Sequence, residues 1–112
     1  MSSKQIIYTS TLPTPPLPKC SLFQYHFPST PSESPIPMFD PGLPAYIDGY
    51  NGSTLTRGQL KDSALRLVTA FRELGLKRGD VGCIWGLNGF GWLTSWFGLM
   101  AAGMVMTPAN WA

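Results

Sequence analysis

The sequence of 112 residues is poor in charged residues, cysteine and histidine. Only 12% of its residues are charged, the formal net charge is +2, and there are two cysteines and one histidine. The lysines and arginines are scattered, so no basic stripe favours nucleic-acid binding. Cys20 and Cys83 form neither a metal-ligand spacing nor a disulfide framework. These features argue against a nucleic-acid partner and favour a reduced intracellular setting.

The C-terminal part lacks charge altogether, because no charged residue follows Asp80. An uncharged tract of this length satisfies a simple search for a membrane span of about 20 residues. Glycines, Asn88 and Pro108 nevertheless divide the tract into pieces of strand and short-helix length, and no Lys or Arg follows to set an orientation. The N-terminus also lacks an apolar core long enough for a signal peptide. A buried α/β unit is therefore favoured over a transmembrane span.

All prolines except Pro108 lie in residues 1–44, which are also rich in Ser and Thr. This composition predicts an extended leader that is either disordered or docked on other parts of the protein. One apolar island, residues 21–27, is suited to docking. P-x-x-P matches within residues 13–18 permit binding to an aromatic groove. Such matches arise easily in Pro-rich segments, so a spacer is the favoured interpretation.

Turn and helix signals begin after the leader. Residues 45–48 and 54–56 are strand candidates on either side of an Asn-Gly turn, which predicts a small hairpin. From Thr56 the apolar residues recur on one helical face, and Thr56-Arg57-Gly58-Gln59 fits a capping box. Gly75 is the stop signal at the far end. The pattern therefore predicts an amphipathic helix after the hairpin.

The last thirty or so residues predict a parallel β-α-β unit. Val81–Trp85 and Met104–Thr107 have the unbroken apolar pattern of buried strands, and about Phe90–Ala102 has the pattern of an apolar helix. A strand, a crossover helix and a strand leave no room for a hairpin, so the strands are expected to be parallel and the crossover right-handed. Parallel strands need cover on two faces, and a helix that is apolar all round is a buried helix.

The predicted fold class is accordingly α/β, as an incomplete piece of a larger N-terminal domain. Residues 1–44 are interpreted as a Pro/Ser-rich extended leader and residues 45–112 as the start of that domain. The rest of the domain is expected to supply the missing cover.

No group of residues in the sequence matches a catalytic, cofactor-binding or metal-binding motif. Gly86, Gly89 and Gly91 follow the order G-x-x-G-x-G, which is not the G-x-G-x-x-G of dinucleotide-binding loops. A tight turn with Asn88 or Gly89 capping the helix is the favoured interpretation. His26 has no nucleophile or carboxylate at a motif spacing, so a surface or docking residue is expected. No catalytic, cofactor-binding or metal-binding residue is therefore predicted.

The order of several motifs nevertheless resembles a known family. The chain is similar to the N-terminal part of the AMP-forming adenylate ligases, and most similar to acyl-CoA synthetases of the 4-coumarate-CoA ligase type. Residues 7–10 and 21–25 resemble the leader of fungal members. The motifs are Thr54-Leu55-Thr56, Leu74-Gly75-Leu76-Lys77-x-Gly79-Asp80-Val81, Ala101-Ala102-Gly103 and Thr107-Pro108-Ala109-Asn110.

This resemblance implies an enzyme that uses ATP and Mg²⁺ to activate a carboxylic acid as its acyl-adenylate and transfers the acyl group to coenzyme A. The family's phosphate loop, nucleotide contacts and catalytic lysine lie beyond the position that matches Ala112, so no site residue is carried over. The chain alone is expected to be inactive and to bind none of these cofactors. Its expected partner is the rest of the ligase domain, and its expected location is cytoplasmic or peroxisomal. The alternative is a small membrane-anchored or partner-docking protein with a Pro-rich tail and no catalysis.

Overall fold

The computed structural model describes residues 9–14, 17–29 and 40–109. Over these residues the chain combines three helices with four strands, which confirms the predicted α/β class. In chain order the elements are α1 (Leu22–His26), β1 (Pro44–Ile47), β2 (Thr54–Thr56), α2 (Arg57–Glu73), β3 (Val81–Trp85), α3 (Phe90–Ala102) and β4 (Val105–Ala109).

The predicted hairpin is present as the antiparallel pair of β1 and β2. Its turn is closed by Asp48, whose N–H donates to the Ser53 carbonyl at 2.8 Å and whose carboxylate accepts from the Tyr50 N–H at 2.8 Å. Gly52 supplies the positive φ of 72° that the turn requires. Strand β1 begins at Pro44, one residue earlier than the sequence predicts.

Helix α2 begins with the predicted capping box. The Thr56 hydroxyl accepts from the Gln59 N–H at 3.2 Å, and the Gln59 side chain accepts from the Thr56 N–H at 2.9 Å. Gly75 follows the helix with φ of 81°, so the predicted stop signal is confirmed. The predicted apolar face is buried at Leu60, Ala64 and Val68.

Strands β3 and β4 pair in parallel, with Val81 opposite Val105 and Trp85 opposite Ala109. Helix α3 connects them, so the predicted β-α-β unit is confirmed. The predicted start of the second strand at Met104 is wrong, because the Met104 N–H donates to the Leu99 carbonyl at 3.0 Å. That bond, together with Gly103 at φ of 68°, completes the C-terminal cap of α3. The strand therefore begins one residue later, at Val105.

The prediction of an extended leader is wrong at Leu22–His26, which forms the short helix α1. Ser21 starts it with a capping box, in which the Ser21 hydroxyl accepts from the Gln24 N–H at 3.2 Å. Phe23 and Phe27 are only 8% and 4% exposed and join the core of α2. The P-x-x-P matches include residues 15 and 16, which lie outside the described residues, and the division of the chain at residue 44 stays a prediction.

Helix α3 is the centre of the packing. Against α2 it presents Gly98, and a Cβ built on Gly98 would lie 2.9 Å from the Leu67 Cβ. Against β3 it presents Leu99, which would collide with any side chain at Gly82. Gly98 and Leu99 are its buried residues, whereas the other large apolar side chains of α3 are only half-buried, as expected for a helix whose remaining cover lies outside this chain.

The two faces of the parallel pair differ in their cover. Ile84 is buried against α3, whereas Val81, Trp85 and Val105 are 66%, 74% and 53% exposed on the opposite face. We call the side chains of this opposite face the uncovered face. It consists of Val81, Cys83, Trp85, Val105 and Thr107.

We expect Gly98→Ala to lower the free energy of unfolding by about 1–3 kcal/mol, because the added methyl group displaces Leu67 in a packed contact. The matched control is Gly91→Ala in the same helix, where no atom lies within 4 Å of the added carbon. That variant should gain about 0.5–1 kcal/mol from helix propensity. Urea denaturation of the two variants measures the difference, and equal effects would contradict the close approach of α2 and α3.

Phe27→Ala should lower the free energy of unfolding by about 3 kcal/mol, because the ring is 4% exposed and packs against Phe97 at a centroid distance of 5.3 Å. Leu22→Ala in α1, the short helix that Phe27 caps, is the control, since Leu22 is 56% exposed. Its expected effect is within about 0.5 kcal/mol. Similar denaturation midpoints for the two variants would show that α1 does not belong to the core.

Candidate functional site

Most of the described aspartates lie in turns. Three of them each accept a hydrogen bond of 2.8 Å from a backbone N–H within three residues, and Asp62 is exposed on α2. No group of three or more His, Cys, Asp or Glu in the described ranges is placed to hold a metal ion. The turn pairs are Asp40 with Gly42, Asp48 with Tyr50, and Asp80 with Lys77.

The glycine-rich turn before α3 does not fit a phosphate loop. Gly89 is the N-cap of α3 with an extended backbone at φ of −177°, and no side chain caps the helix. This confirms Gly89, not Asn88, as the capping residue. Carbons added at Gly86, Gly89 or Gly91 would meet nothing within 4 Å. The glycine order G-x-x-G-x-G also differs from the G-x-G-x-x-G of dinucleotide-binding loops.

A cavity of about 400 Å³ lies where α1 meets β1, α2 and α3. Its polar residues include His26 and Arg57, and its apolar wall includes Phe27, Leu60 and Phe97. The His26 ring stands edge-on to the Phe97 ring, with a centroid distance of 5.8 Å and an interplanar angle of 87°. His26 thus docks α1 on α3, one of the two roles that the sequence predicts for it. The cavity has no carboxylate or thiol in its lining, so it offers no nucleophile with a base.

A smaller cavity of about 240 Å³ has a basic rim made by Arg72, Lys77 and Arg78. It lies where α2 and α3 both end, and the Arg78 side chain runs beside Gly103, the cap of α3. Positive charge is favourable near helix C-termini, where carbonyl groups are unpaired. The basic residues are therefore placed to stabilise the two helix ends.

No helix in the described part of the chain is both long enough and apolar enough to cross a membrane. The uncharged tract is divided between β3, α3 and β4. Helix α3, the longest apolar element of that tract, spans 13 residues.

A family model described as AMP-binding enzyme matches residues 39–112. The chain belongs to the AMP-binding enzyme family. The resemblance to adenylate-forming ligases is thereby confirmed at the level of the family.

Solved structures of adenylate-forming enzymes share this fold. Apo MatB from Rhodopseudomonas palustris superposes with a TM-score of 0.68 over 82% of the chain at 24% identity. The N-terminal domain of FACL13 from Mycobacterium tuberculosis gives a TM-score of 0.55 over 63% of the chain at 26% identity. An adenylation domain of a keto acid-selecting NRPS module, bound to keto acyl adenylate, gives a TM-score of 0.54 over 63% of the chain at 30% identity. The chain spans 17%, 18% and 13% of these three structures, respectively.

We expect Gly89→Asp to raise the free energy of unfolding by about 0.5 kcal/mol, because a carboxylate at this N-cap accepts N–H bonds that Gly89 leaves without a side-chain partner. The gain requires the ionised carboxylate, so it is present above a pH of about 4 and is lost as the pH falls below it. Gly86→Asp, outside the helix, is the control and should change stability little. Thermal denaturation at two pH values measures the effect, and no gain at neutral pH would contradict the assignment of the cap.

Proposed function

We propose that the chain is the N-terminal portion of an acid-CoA ligase of the 4-coumarate-CoA ligase type. The observation that carries this proposal is the family match over residues 39–112, which includes every element except α1. In the proposed reaction, the carboxylate of an acid attacks the α-phosphate of ATP, and pyrophosphate leaves. The thiol of coenzyme A then attacks the acyl-adenylate, which forms the thioester and releases AMP.

The contribution of this chain to that reaction is structural. Three of its described carboxylates accept backbone hydrogen bonds within turns, and its glycine-rich turn lacks the spacing of a dinucleotide-binding loop. ATP, Mg²⁺ and coenzyme A are therefore assigned to other parts of the ligase, and the chain alone is proposed to be inactive. The acid substrate is likewise assigned to residues outside this chain.

The proposed partner of the chain is the rest of the ligase domain, which would pack on the uncovered face. Trp85 is 74% exposed there, which corresponds to roughly 110–185 Å² for a side chain that buries about 150–250 Å². Val81 and Val105 add to the same patch. Parallel sheets are normally covered on both faces. The uncovered face therefore needs a second layer of protein packed against it.

The proposed location is intracellular, in the cytoplasm or in peroxisomes. Support comes from the match to the AMP-binding enzyme family and from the resemblance to acid-CoA ligases.

The test is an enzyme assay on native protein captured from cell extract with an antibody against residues 1–44. The captured protein should form thioesters in a reaction that needs ATP, Mg²⁺ and coenzyme A, with 4-coumarate preferred over a long-chain fatty acid. The purified chain of 112 residues is the matched control and should show no turnover. Turnover by that chain would contradict its proposed inactivity.

The same assay distinguishes the proposed acid-CoA ligase activity from the proposed preference for 4-coumarate. Preference for a fatty acid would contradict the 4-coumarate type and leave the acid-CoA ligase in place. Captured protein that forms no thioester with any acid would contradict the ligase and favour a docking protein without catalysis.

A further inference from the structure

Two Asn-Gly pairs occur in the chain, Asn51-Gly52 in the hairpin turn and Asn88-Gly89 before α3. Asparagine is a thermally labile residue. Its side-chain amide carbon can be attacked by the backbone nitrogen of the next residue, and glycine leaves that approach unobstructed because it has no Cβ. Both asparagines are exposed to solvent. A difference in reactivity between the two pairs therefore reports their structural surroundings.

In the hairpin pair, both reacting groups are held by hydrogen bonds. The Gly52 N–H donates to the Asp48 carbonyl at 2.9 Å, and the Asn51 side-chain oxygen accepts from the Ser53 N–H at 2.7 Å. Attack requires the Gly52 nitrogen to lose its proton, so the bond to Asp48 has to open first. These bonds lie entirely within residues 48–53, all of which the structure describes. Asn51 is therefore protected by its own turn.

The pair before α3 has no such bonds. Neither the Gly89 N–H nor the Asn88 side chain forms a hydrogen bond with any residue that the structure describes. The backbone of Gly89 is extended, with φ of −177° and ψ of −178°. Its carbonyl, not its N–H, takes part in α3, by accepting from the Leu93 N–H at 3.1 Å. The attacking nitrogen and the side chain that it attacks can thus react without first breaking a hydrogen bond.

We propose that Asn88 is a site of spontaneous deamidation in the folded chain, whereas Asn51 is protected. The Gly89 nitrogen gives its proton to water and bonds to the Asn88 Cγ. The bond from Cγ to the side-chain nitrogen breaks, and that nitrogen takes up a proton and leaves as ammonia. Water then opens the resulting succinimide at either carbonyl, which gives aspartate or isoaspartate. The inference goes beyond the proposed ligase, because it assigns a covalent modification to this chain.

The modification changes the charge at the start of α3. It places a carboxylate in the tract that has no charge after Asp80, and it lowers the formal net charge of +2 by one unit. Aspartate at this position lies beside the N-terminus of α3, where negative charge is favourable. Isoaspartate instead adds a methylene group to the backbone directly before Gly89, the cap of the helix. The two products are therefore expected to affect α3 differently.

Peptide mapping by mass spectrometry tests the proposal. The purified chain is incubated at mildly alkaline pH, and aspartate and isoaspartate are measured over time at both positions. In native buffer Asn88 should deamidate roughly fivefold or more faster than Asn51, the factor that corresponds to opening one net hydrogen bond. In concentrated urea the two rates should become similar, because the turn around Asn51 is lost.

Gly89→Ala tests the route of the reaction. The added Cβ obstructs attack by the backbone nitrogen, so deamidation of Asn88 should slow severalfold. The variant should keep the fold, because the backbone of Gly89 is extended and no atom lies within 4 Å of the added carbon. The matched control is Gly91→Ala, where again no atom lies within 4 Å. This control should leave the rate at Asn88 unchanged.

Asp48→Ala tests the protection of Asn51. The Asp48 carboxylate accepts from the Tyr50 N–H at 2.8 Å, so its removal loosens the hairpin turn. The rate should therefore rise at Asn51 and stay the same at Asn88.

Several results would overturn the proposal. These are an Asn88 that stays intact in native buffer, equal rates at the two positions, faster deamidation of Asn51, a difference that persists in urea, and an unchanged rate at Asn88 in Gly89→Ala.

Discussion

Parallel pairing of β3 and β4 is the constraint on which the rest of the structure depends. Parallel strands cannot be joined by a tight turn, so the chain crosses between them through α3. Helix α3 then covers one face of the pair with Leu99. It packs against α2 at Gly98 and against α1 at Phe97. Helices α1 and α2 are therefore placed by the crossover helix, the hairpin packs on α2, and the opposite face of the two strands is left exposed.

The described residue types that often serve catalysis have structural contacts in this arrangement. The carboxylates of Asp40, Asp48 and Asp80 accept backbone hydrogen bonds in turns. The His26 ring packs edge-on against Phe97 and so connects α1 to α3. The described part of the chain also offers apolar surface on the uncovered face. Its function is accordingly to be sought in what packs against that surface.

The bounds of helices and strands could be predicted from the sequence where local signals define them. They could not be predicted where tertiary packing determines them. The bounds of β3 and α3 were predictable, because a continuous apolar run and the glycines at both helix ends mark them. The start of β4 was not, because Met104 belongs to the cap of α3 through a bond to Leu99. Helix α1 carried a readable signal, Ser21 followed three residues later by Gln24, which the surrounding prolines concealed. Half-burial of α3 agrees with the expected shortage of cover, because a helix that is apolar all round needs more neighbours than this chain contains.

The most direct test of the central claim, that this chain is the N-terminal portion of a larger ligase, is the mass of the native protein. An immunoblot of cell extract with an antibody against residues 1–44 measures it under denaturing conditions. A band several times heavier than 12.2 kDa is the predicted result. A single stable band at 12.2 kDa would contradict the claim, because the chain would then exist without the domain that carries the chemistry.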